Sequence, residues 1–254
     1  MKHSAFNRTC AMLVLILAAS SVWANVYQEP DKINRSFTLP TKARVEVSAI
    51  SGSVDIKAID GDMAIVQIER TGRSRAELDC NKVVLEQAAG SLVIQSESVG
   101  GPDCQNIQVV YRVLLSLPRH VDVSVRGVSG PINIGEIDGA LRISGNSGNI
   151  NLAQSGSGSS ISGNSGAITI KLRQLDSRGL ELGGNSGAIR LYIVDQLNVD
   201  VKVSGLSGSV SSDLPNVQFQ KTGAADYHAR IGSGGPTITV HGSSGSVLLD
   251  RYQE

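Results

Sequence analysis

One short motif recurs seven times along the chain and restricts the folds that the chain can adopt. It consists of Ser-Gly, one variable residue and an alternating apolar pair, and its glycines are Gly52, Gly130, Gly148, Gly166, Gly187, Gly208 and Gly245. From Gly130 to Gly208 these glycines recur at an almost constant interval. A fixed period of about 20 residues is typical of solenoids whose coils contain only strands and turns. We therefore predict an all-β fold, a parallel β-helix or β-solenoid with coils of about 18–21 residues.

Apolar and polar residues alternate on both sides of the motif, as expected for strands with one buried face. In stacked coils, the same apolar positions of successive motifs superimpose and form inward-facing ladders. The residues between them face outward. The two predicted ladders are Ile150, Ile168 and Ile189, and Leu152, Ile170 and Leu191.

The number of coils is predicted from the wider motif spacings. The interval from Gly52 to Gly130 is close to four periods, and the interval from Gly208 to Gly245 is close to two. About ten coils stacked in chain order would give a rod about 50 Å long, since each coil adds about 4.8 Å.

Glycine and asparagine mark the predicted corners of the coils. The tetrapeptide Gly-Asn-Ser-Gly begins at Gly145, Gly163 and Gly184. Both residue types tolerate the positive φ that a sharp corner needs. Stacked asparagines could also hydrogen-bond along the axis, and a ligand site at these asparagines is the alternative. The predicted structural corner residues are Asn146, Gly148, Asn164, Gly166, Asn185, Gly187, Gly208 and Gly245.

The chain divides into three predicted parts. Residues 1–24 have the features of a cleaved signal peptide: Lys2 and Arg8 precede a short apolar core, and cleavage after Ala24 is expected. Residues 25–118 follow the repeat less regularly and form either early coils or a separate β cap. Residues 119–254 form the solenoid repeat. Beyond the signal, no apolar run reaches the roughly 20 residues of a membrane-spanning helix.

Cys80 and Cys104 are the two cysteines that follow the predicted signal peptide. Exported proteins commonly pair such cysteines, so we predict a disulfide between them.

The charge balance argues against nucleic acid as a partner. The chain has 23 basic and 23 acidic residues, and the predicted signal removes two basic ones. Binding to nucleic acid generally requires a basic surface that displaces counterions.

These residues resemble a bacterial family of candidate adhesins, a domain of unknown function with β-strand repeats. The resemblance lies in the repeated motif, in LPRHVDVSVRGVSGPINI from Leu117 to Ile134, and in the export signal. It implies a right-handed β-helix-like fold, a location in the cell envelope and an adhesin-like role. The family has no catalytic residues to carry over.

No catalytic or metal site is predicted, and we expect no cofactor. Glycan-cleaving β-helix enzymes need clustered carboxylates, whereas the acidic residues here recur at no single coil position. The densest polar cluster is Asp226, Tyr227 and His228, for which an exposed loop is the ordinary interpretation.

The candidate binding surface is a small basic patch on the outward face of the stack, formed by Lys171, Arg173, Arg190 and Tyr192, and an ordinary solvated face is the alternative. Such a patch suits a polymer that carries phosphate or carboxylate groups.

The sequence thus indicates an exported, non-enzymatic binding or scaffold protein of adhesin type, in the periplasm, secreted or at the cell surface. Its partner would be a cell-surface polymer or an envelope protein. A carbohydrate-active β-helix enzyme and an envelope-stress sensor that binds a membrane protein are the alternatives.

Overall fold

A computed structural model describes residues 30–154, 158–215 and 217–252. The predicted signal peptide lies outside these residues. The described chain is almost entirely β, with one short helix, α1 (Arg75–Asp79), and a 3₁₀ turn at Pro102–Cys104. The strands are β1 (Asp31–Thr38), β2 (Arg44–Ser48), β3 (Gly52–Ile59), β4 (Met63–Thr71), β5 (Asn81–Ala88), β6 (Ser91–Ser98), β7 (Val110–Pro118), β8 (Asp122–Arg126), β9 (Ile132–Glu136), β10 (Leu141–Ser144), β11 (Ile150–Gln154), β12 (Ser159–Ser162), β13 (Ile168–Leu172), β14 (Leu180–Gly183), β15 (Ile189–Ile193), β16 (Val199–Ser204), β17 (Val210–Ser212), β18 (Gln220–Lys221), β19 (Tyr227–Ile231), β20 (Thr237–His241) and β21 (Val247–Arg251).

The strands form two large sheets. Sheet A has the order β1-β4-β7-β3-β9-β11-β13-β15-β21-β17, and sheet B has the order β18-β19-β16-β20-β14-β12-β10-β8-β2-β6-β5. Eight neighbouring strands in each sheet are parallel, and antiparallel strands extend one end of sheet A and both ends of sheet B. Each coil contributes one parallel strand to each sheet. The fold is therefore a flattened, two-sheet β-solenoid, as the repeat predicts.

The order of the coils differs from the predicted order. There are eight coils among the described residues, not about ten, and two of them lie out of chain order. The β6–β7 coil stacks outside the earlier β2–β3 coil, and the late β20–β21 coil inserts between β14–β15 and β16–β17. The prediction of about ten coils is therefore wrong, because Gly52 and Gly130 lie on adjacent coils despite their wide separation along the chain.

The two predicted apolar ladders are present in the predicted register. Ile150 pairs with Ile168 and Ile168 with Ile189, and the second ladder aligns in the same way. All six side chains are buried within one continuous hydrophobic core. Burial of aliphatic side chains at about 25 cal/mol per Å² holds the two sheets together.

The corner glycines have two different roles, and only one of them was predicted. Gly145 has φ +63° and turns the chain into the corner. Gly148, the motif glycine, has no positive φ; an added Cβ there would lie 2.2 Å from the carbonyl oxygen of Gly130. The motif glycine is needed because coils touch at this point, which the prediction of positive φ missed.

The corner asparagines form the predicted hydrogen-bonded ladder. The Nδ2 of Asn146 donates to the Oδ1 of Asn164 at 3.0 Å, and the Nδ2 of Asn164 donates to the Oδ1 of Asn185 at 3.1 Å. Each Nδ2 also donates to the carbonyl oxygen two residues later. All three side chains are buried, so they join coils internally and are not a surface ligand site.

Residues 30–118 contribute strands to both sheets and share the core with the repeat. The predicted division at residue 118 stays a prediction. Within this part, Cys80 and Cys104 are joined in a disulfide, with their Cα atoms 5.5 Å apart. None of the described helices is long and apolar enough to cross a membrane.

Candidate functional site

A shallow groove of about 470 Å³ crosses four neighbouring strands on the outer face of sheet A. These strands are β3, β9, β11 and β13. The groove is lined by Asp55, Ile56, Lys57, Asn133, Ile134, Gly135, Asn151, Leu152, Ala153, Thr169 and Lys171. Its position follows from the motif, because the residue between the two apolar positions of each motif must face outward.

Four of these outward residues form a polar row along one side of the groove: Asp55, Asn133, Asn151 and Thr169 occupy the same register position on successive strands. The Nδ2 of Asn151 donates to the Oδ1 of Asn133 at 2.9 Å. The Nδ2 of Asn133 in turn donates to the Oδ1 of Asp55 at 2.6 Å. Within the described part of the chain, the Nδ2 of Asn133 and that of Asn151 each make this one hydrogen bond, so each amide can donate a second one to a ligand.

The floor of the groove is formed by small residues. Gly135 and Ala153 occupy the next outward position on the two central strands, β9 and β11, where their lack of bulk leaves the backbone close to the surface. The corresponding positions on the outer strands, β3 and β13, are Lys57 and Lys171, and both lysines are exposed. These lysines are three strand spacings apart, about 14 Å. The groove therefore has a narrow apolar floor with a cation at each end.

Lys171 is held in place by an aromatic ring. Its Nζ lies 5.5 Å from the centroid of the Tyr252 ring, within the range of a cation–π contact. The guanidinium of Arg173 lies 5.3 Å from the same centroid and donates to the Tyr252 hydroxyl at 3.0 Å. The three side chains form one cluster at the β13 end of the groove.

A line of ion pairs lies beyond the floor, at the carboxyl ends of the strands. Glu136 pairs with Arg173 at 2.7 Å and with Arg119 at 3.4 Å. Arg119 also approaches Asp60 at 3.4 Å. Because Glu136 compensates Arg173, the lysines are the cations of the groove that have no carboxylate partner among the described residues.

Three residues of the predicted basic patch lie on the adjacent strands β13 and β15, and Arg173 directly follows β13. Lys171 and Tyr192 are register partners, and Arg190 is the partner of Thr169. Lys171 lines the groove, whereas Arg173, Arg190 and Tyr192 are not among its lining residues. A binding role for the four residues stays a prediction.

Sequence reasoning missed the other half of the groove. It did not place Asp55 and Lys57 near the later motifs, because it separated Gly52 from Gly130 by four coils. The motif itself carries the signal that could have placed these residues. When the motifs are aligned at their glycines, the fifth position gives the polar row and the seventh gives Lys57, Gly135, Ala153 and Lys171. The aligned segments are SGSVDIK, SGPINIG, SGNINLA and SGAITIK.

The cluster of Asp226, Tyr227 and His228 lies at the far end of sheet B. His228 approaches the Oδ1 of Asp200 through its Nε2 at 3.2 Å, whereas the Oδ1 of Asp226 accepts the backbone N–H of Gly205. The backbone N–H of Gly235, with help from Arg230, holds the pKa of Asp200 below its ordinary value. Asp226 therefore contacts the backbone at Gly205, whereas His228 contacts Asp200 on β16, so the two side chains do not act on one group.

Metal-binding groups are not concentrated anywhere in the described ranges: no three His, Cys, Asp or Glu residues come together in a way that could hold an ion. The groove offers a ligand a set of amide, hydroxyl, carboxylate and ammonium groups around an apolar floor. Such a surface can bind a ligand through hydrogen bonds and charge.

The fold is a two-sheet β-solenoid with a shallow groove on the outer face of sheet A. Residues 26–250 match the family described as Toastrack DUF4097, and the chain belongs to that family. This confirms the resemblance, drawn from the sequence, to a domain of unknown function. No curated protein matches the chain at a significant level.

Several solved structures resemble the chain at low sequence identity. A candidate cell adhesion protein from Clostridium sporogenes ATCC 15579 is 10% identical, with a TM-score of 0.47, and the match covers 88% of this chain and 100% of that one. A candidate adhesin from Bacteroides fragilis NCTC 9343 is 9% identical, with a TM-score of 0.30 and coverage of 86% and 97%. A candidate lipid-binding protein from Parabacteroides distasonis ATCC 8503 is 13% identical, with a TM-score of 0.30 and coverage of 86% and 96%.

Proposed function

We propose that this chain is an exported, non-enzymatic cell-envelope protein of adhesin type, which binds a linear polysaccharide in the groove on sheet A. The observation that carries the proposal is the polar row of Asp55, Asn133, Asn151 and Thr169 beside the small-residue floor of Gly135 and Ala153. Ligand sites combine apolar contact with a few well-placed polar groups. A sugar ring has the matching form, with an apolar face and a rim of hydroxyl groups.

The groove runs across the strands and is shallow, which suits a polymer better than a small molecule. Hydrogen bonds within the polar row fix its side chains before a ligand arrives, so binding need not order them. A linear ligand can contact several coils at once, and each repeats a similar set of groups.

The lining favours binding over cleavage. Glycoside hydrolysis ordinarily uses two carboxyl groups that flank the scissile bond. Among the described lining residues, Asp55 is the one carboxylate, and Glu136, beyond the floor, is paired with two arginines. The carbohydrate-active enzyme is therefore the weaker alternative.

Export is part of the proposal and rests on two features. Residues 1–24 have the pattern of a cleaved signal peptide. The disulfide between Cys80 and Cys104 fits an oxidising compartment, such as the periplasm or the cell exterior. We also propose that the coils wind to the right, because crossovers between parallel strands of one sheet are right-handed in about 98% of cases.

A variant that fills the groove tests this proposal. Ala153→Phe places a ring on the floor, and Ser160→Phe places the same ring on the outer face of sheet B, as a matched control. Affinity electrophoresis through gels that contain cell-envelope polysaccharides should show the wild type and Ser160→Phe retarded, and Ala153→Phe running freely. Equal retardation of the three proteins would refute binding in the groove. Capture of a membrane protein that Ala153→Phe leaves intact would favour the envelope-sensor alternative.

A further inference from the structure

We infer that the groove selects an acidic polysaccharide with widely spaced carboxylates, which are bound by Lys57 at one end and Lys171 at the other. This inference rests on the proposed function and assigns the ligand class at the same site. Both lysines follow a buried isoleucine of the repeat and reach the outer face in register, on β3 and β13. They mark the two ends of the small-residue floor.

The lysines are available to a ligand anion. Lys57 makes no recorded hydrogen bond or ion pair within the described part of the chain, and Lys171 makes only its contact with the Tyr252 ring. A cation–π contact leaves the ammonium hydrogens free to donate, and it restricts the side chain to one side of the groove. Tyr252 is therefore a positioning residue for Lys171.

The spacing of charges argues for a polymer that is not charged on every unit. The strand positions of the two lysines are about 14 Å apart, and the polar row and floor between them carry no cation. Asp55 lies two residues before Lys57 on the same outer face, and its carboxylate would repel a closely charged chain. A polysaccharide whose carboxylates are separated by uncharged sugars can place one carboxylate at each lysine and offers hydroxyl groups to the amides between them.

The remaining cations near the groove fit this assignment. The planar fork of arginine binds phosphate and carboxylate with two parallel hydrogen bonds, but the guanidinium of Arg173, just after β13, is already engaged by Glu136 and Tyr252. The groove itself presents the separate ammonium groups of Lys57 and Lys171, and each can form an ion pair and hydrogen bonds with a single carboxylate. The amide hydrogens of Asn133 and Asn151 serve the hydroxyl groups.

Calorimetric titration of the mature protein tests the inference with matched ligands. The acidic probe is a hyaluronan oligosaccharide, which carries a carboxylate on alternate sugars, and the neutral probe is the same oligosaccharide with its carboxyl groups reduced to alcohols. Lys57→Gln and Lys171→Gln should each weaken binding of the acidic probe about fivefold, the upper range for exposed ion pairs, and leave the neutral probe unchanged. Lys202→Gln, an exposed lysine on sheet B, is the control and should bind as the wild type does.

The outcomes separate the inference from the proposed function. Equal affinity for both probes, lost in Ala153→Phe but kept in both lysine variants, would overturn the acidic assignment and leave the groove as a glycan site. If neither the acidic nor the neutral oligosaccharide binds at any concentration, both the acidic assignment and the proposed glycan site are overturned. Tighter binding of polyphosphate than of the acidic probe would overturn the choice of carboxylate. A preference for the acidic probe that falls in each lysine variant and weakens with added salt supports the inference.

Discussion

Gly148 lies directly against the backbone of Gly130 on the neighbouring coil, so that a Cβ on Gly148 would lie 2.2 Å from the carbonyl oxygen of Gly130. The same close approach recurs between Gly166 and Gly148, at 2.3 Å. The motif glycine is therefore a contact point between coils, and each repeat of the motif in the sequence marks a position where two neighbouring coils touch.

Replacing Gly148 by alanine should destabilise the protein by about 3 kcal/mol or more, since the backbone of one coil must move to relieve the overlap. Gly145→Ala is the matched control. An added Cβ at Gly145 would lie 3.8 Å from the backbone nitrogen of Gly127, which is an ordinary contact, but the backbone φ of +63° disfavours alanine. That strain costs about 1–2 kcal/mol. Denaturant unfolding monitored by circular dichroism measures both, and a smaller loss for Gly148→Ala than for Gly145→Ala would contradict the contact between coils.

The buried asparagine ladder predicts a second difference. Asn164→Ala removes one acceptor of the Asn146 amide and the donor to the Oδ1 of Asn185, so that one N–H and one carbonyl oxygen lose their partners in the core. The free energy of unfolding should fall by about 2–4 kcal/mol, since each buried unpaired group costs about 1–3 kcal/mol. Asn151→Ala, on the exposed polar row, should cost less than about 1 kcal/mol. If both variants unfold at the same denaturant concentration, the ladder does not stabilise the fold.

Acid stability should depend on the ion pair between Asp31 and the buried Arg70. The hydrogen bond from Arg70, with help from Arg75, lowers the pKa of Asp31 below its ordinary value, while partial burial opposes the shift. A lowered folded-state pKa gives stability that is complete above the unfolded value of about 3.9 and is lost as the pH falls through the folded value.

Asp31→Asn should therefore cost about 1 kcal/mol at pH 7, since the pair keeps some contact with solvent, and the cost should be smaller at pH 2, where more of the Asp31 carboxyl group is protonated. Asp62→Asn, at an exposed carboxylate with no recorded partner, should be neutral at both pH values. Urea unfolding at each pH gives the comparison, and an Asp31→Asn deficit that persists undiminished in acid would show that charge is not its cause.

The repeat predicted local structure better than it predicted the order of the coils. Consecutive motifs such as those at Gly148 and Gly166 stack in chain order, so their spacing was enough to pair Ile150 with Ile168. The coils at both ends do not stack in chain order, and a period read along the chain cannot show this. Pairing between β3 and β9 depends on contacts between segments that are far apart in the chain, which hydrophobic alternation does not encode.

The candidate site shows the same limit. Lys171 and Tyr192 lie side by side as their consecutive motifs predict. Lys57 reaches the groove only because the β6–β7 coil stacks on the outer side of β2–β3 and leaves β3 free to pair with β9. The partners of Arg173 were also beyond prediction, because Glu136 and Tyr252 lie in other coils and their side chains meet at the carboxyl ends of the strands.

The most direct test of the account is the location of a bound glycan. Backbone amide spectra of the isotope-labelled mature protein, recorded during titration with the hyaluronan oligosaccharide, report on each residue separately. We expect the largest shifts at Gly135, Ala153 and Lys171 in the groove, and no shift at Ser124 and Arg142 on the outer face of sheet B. Shifts confined to sheet B, with the amides of Gly135 and Ala153 unmoved at saturation, would contradict the groove as the binding site.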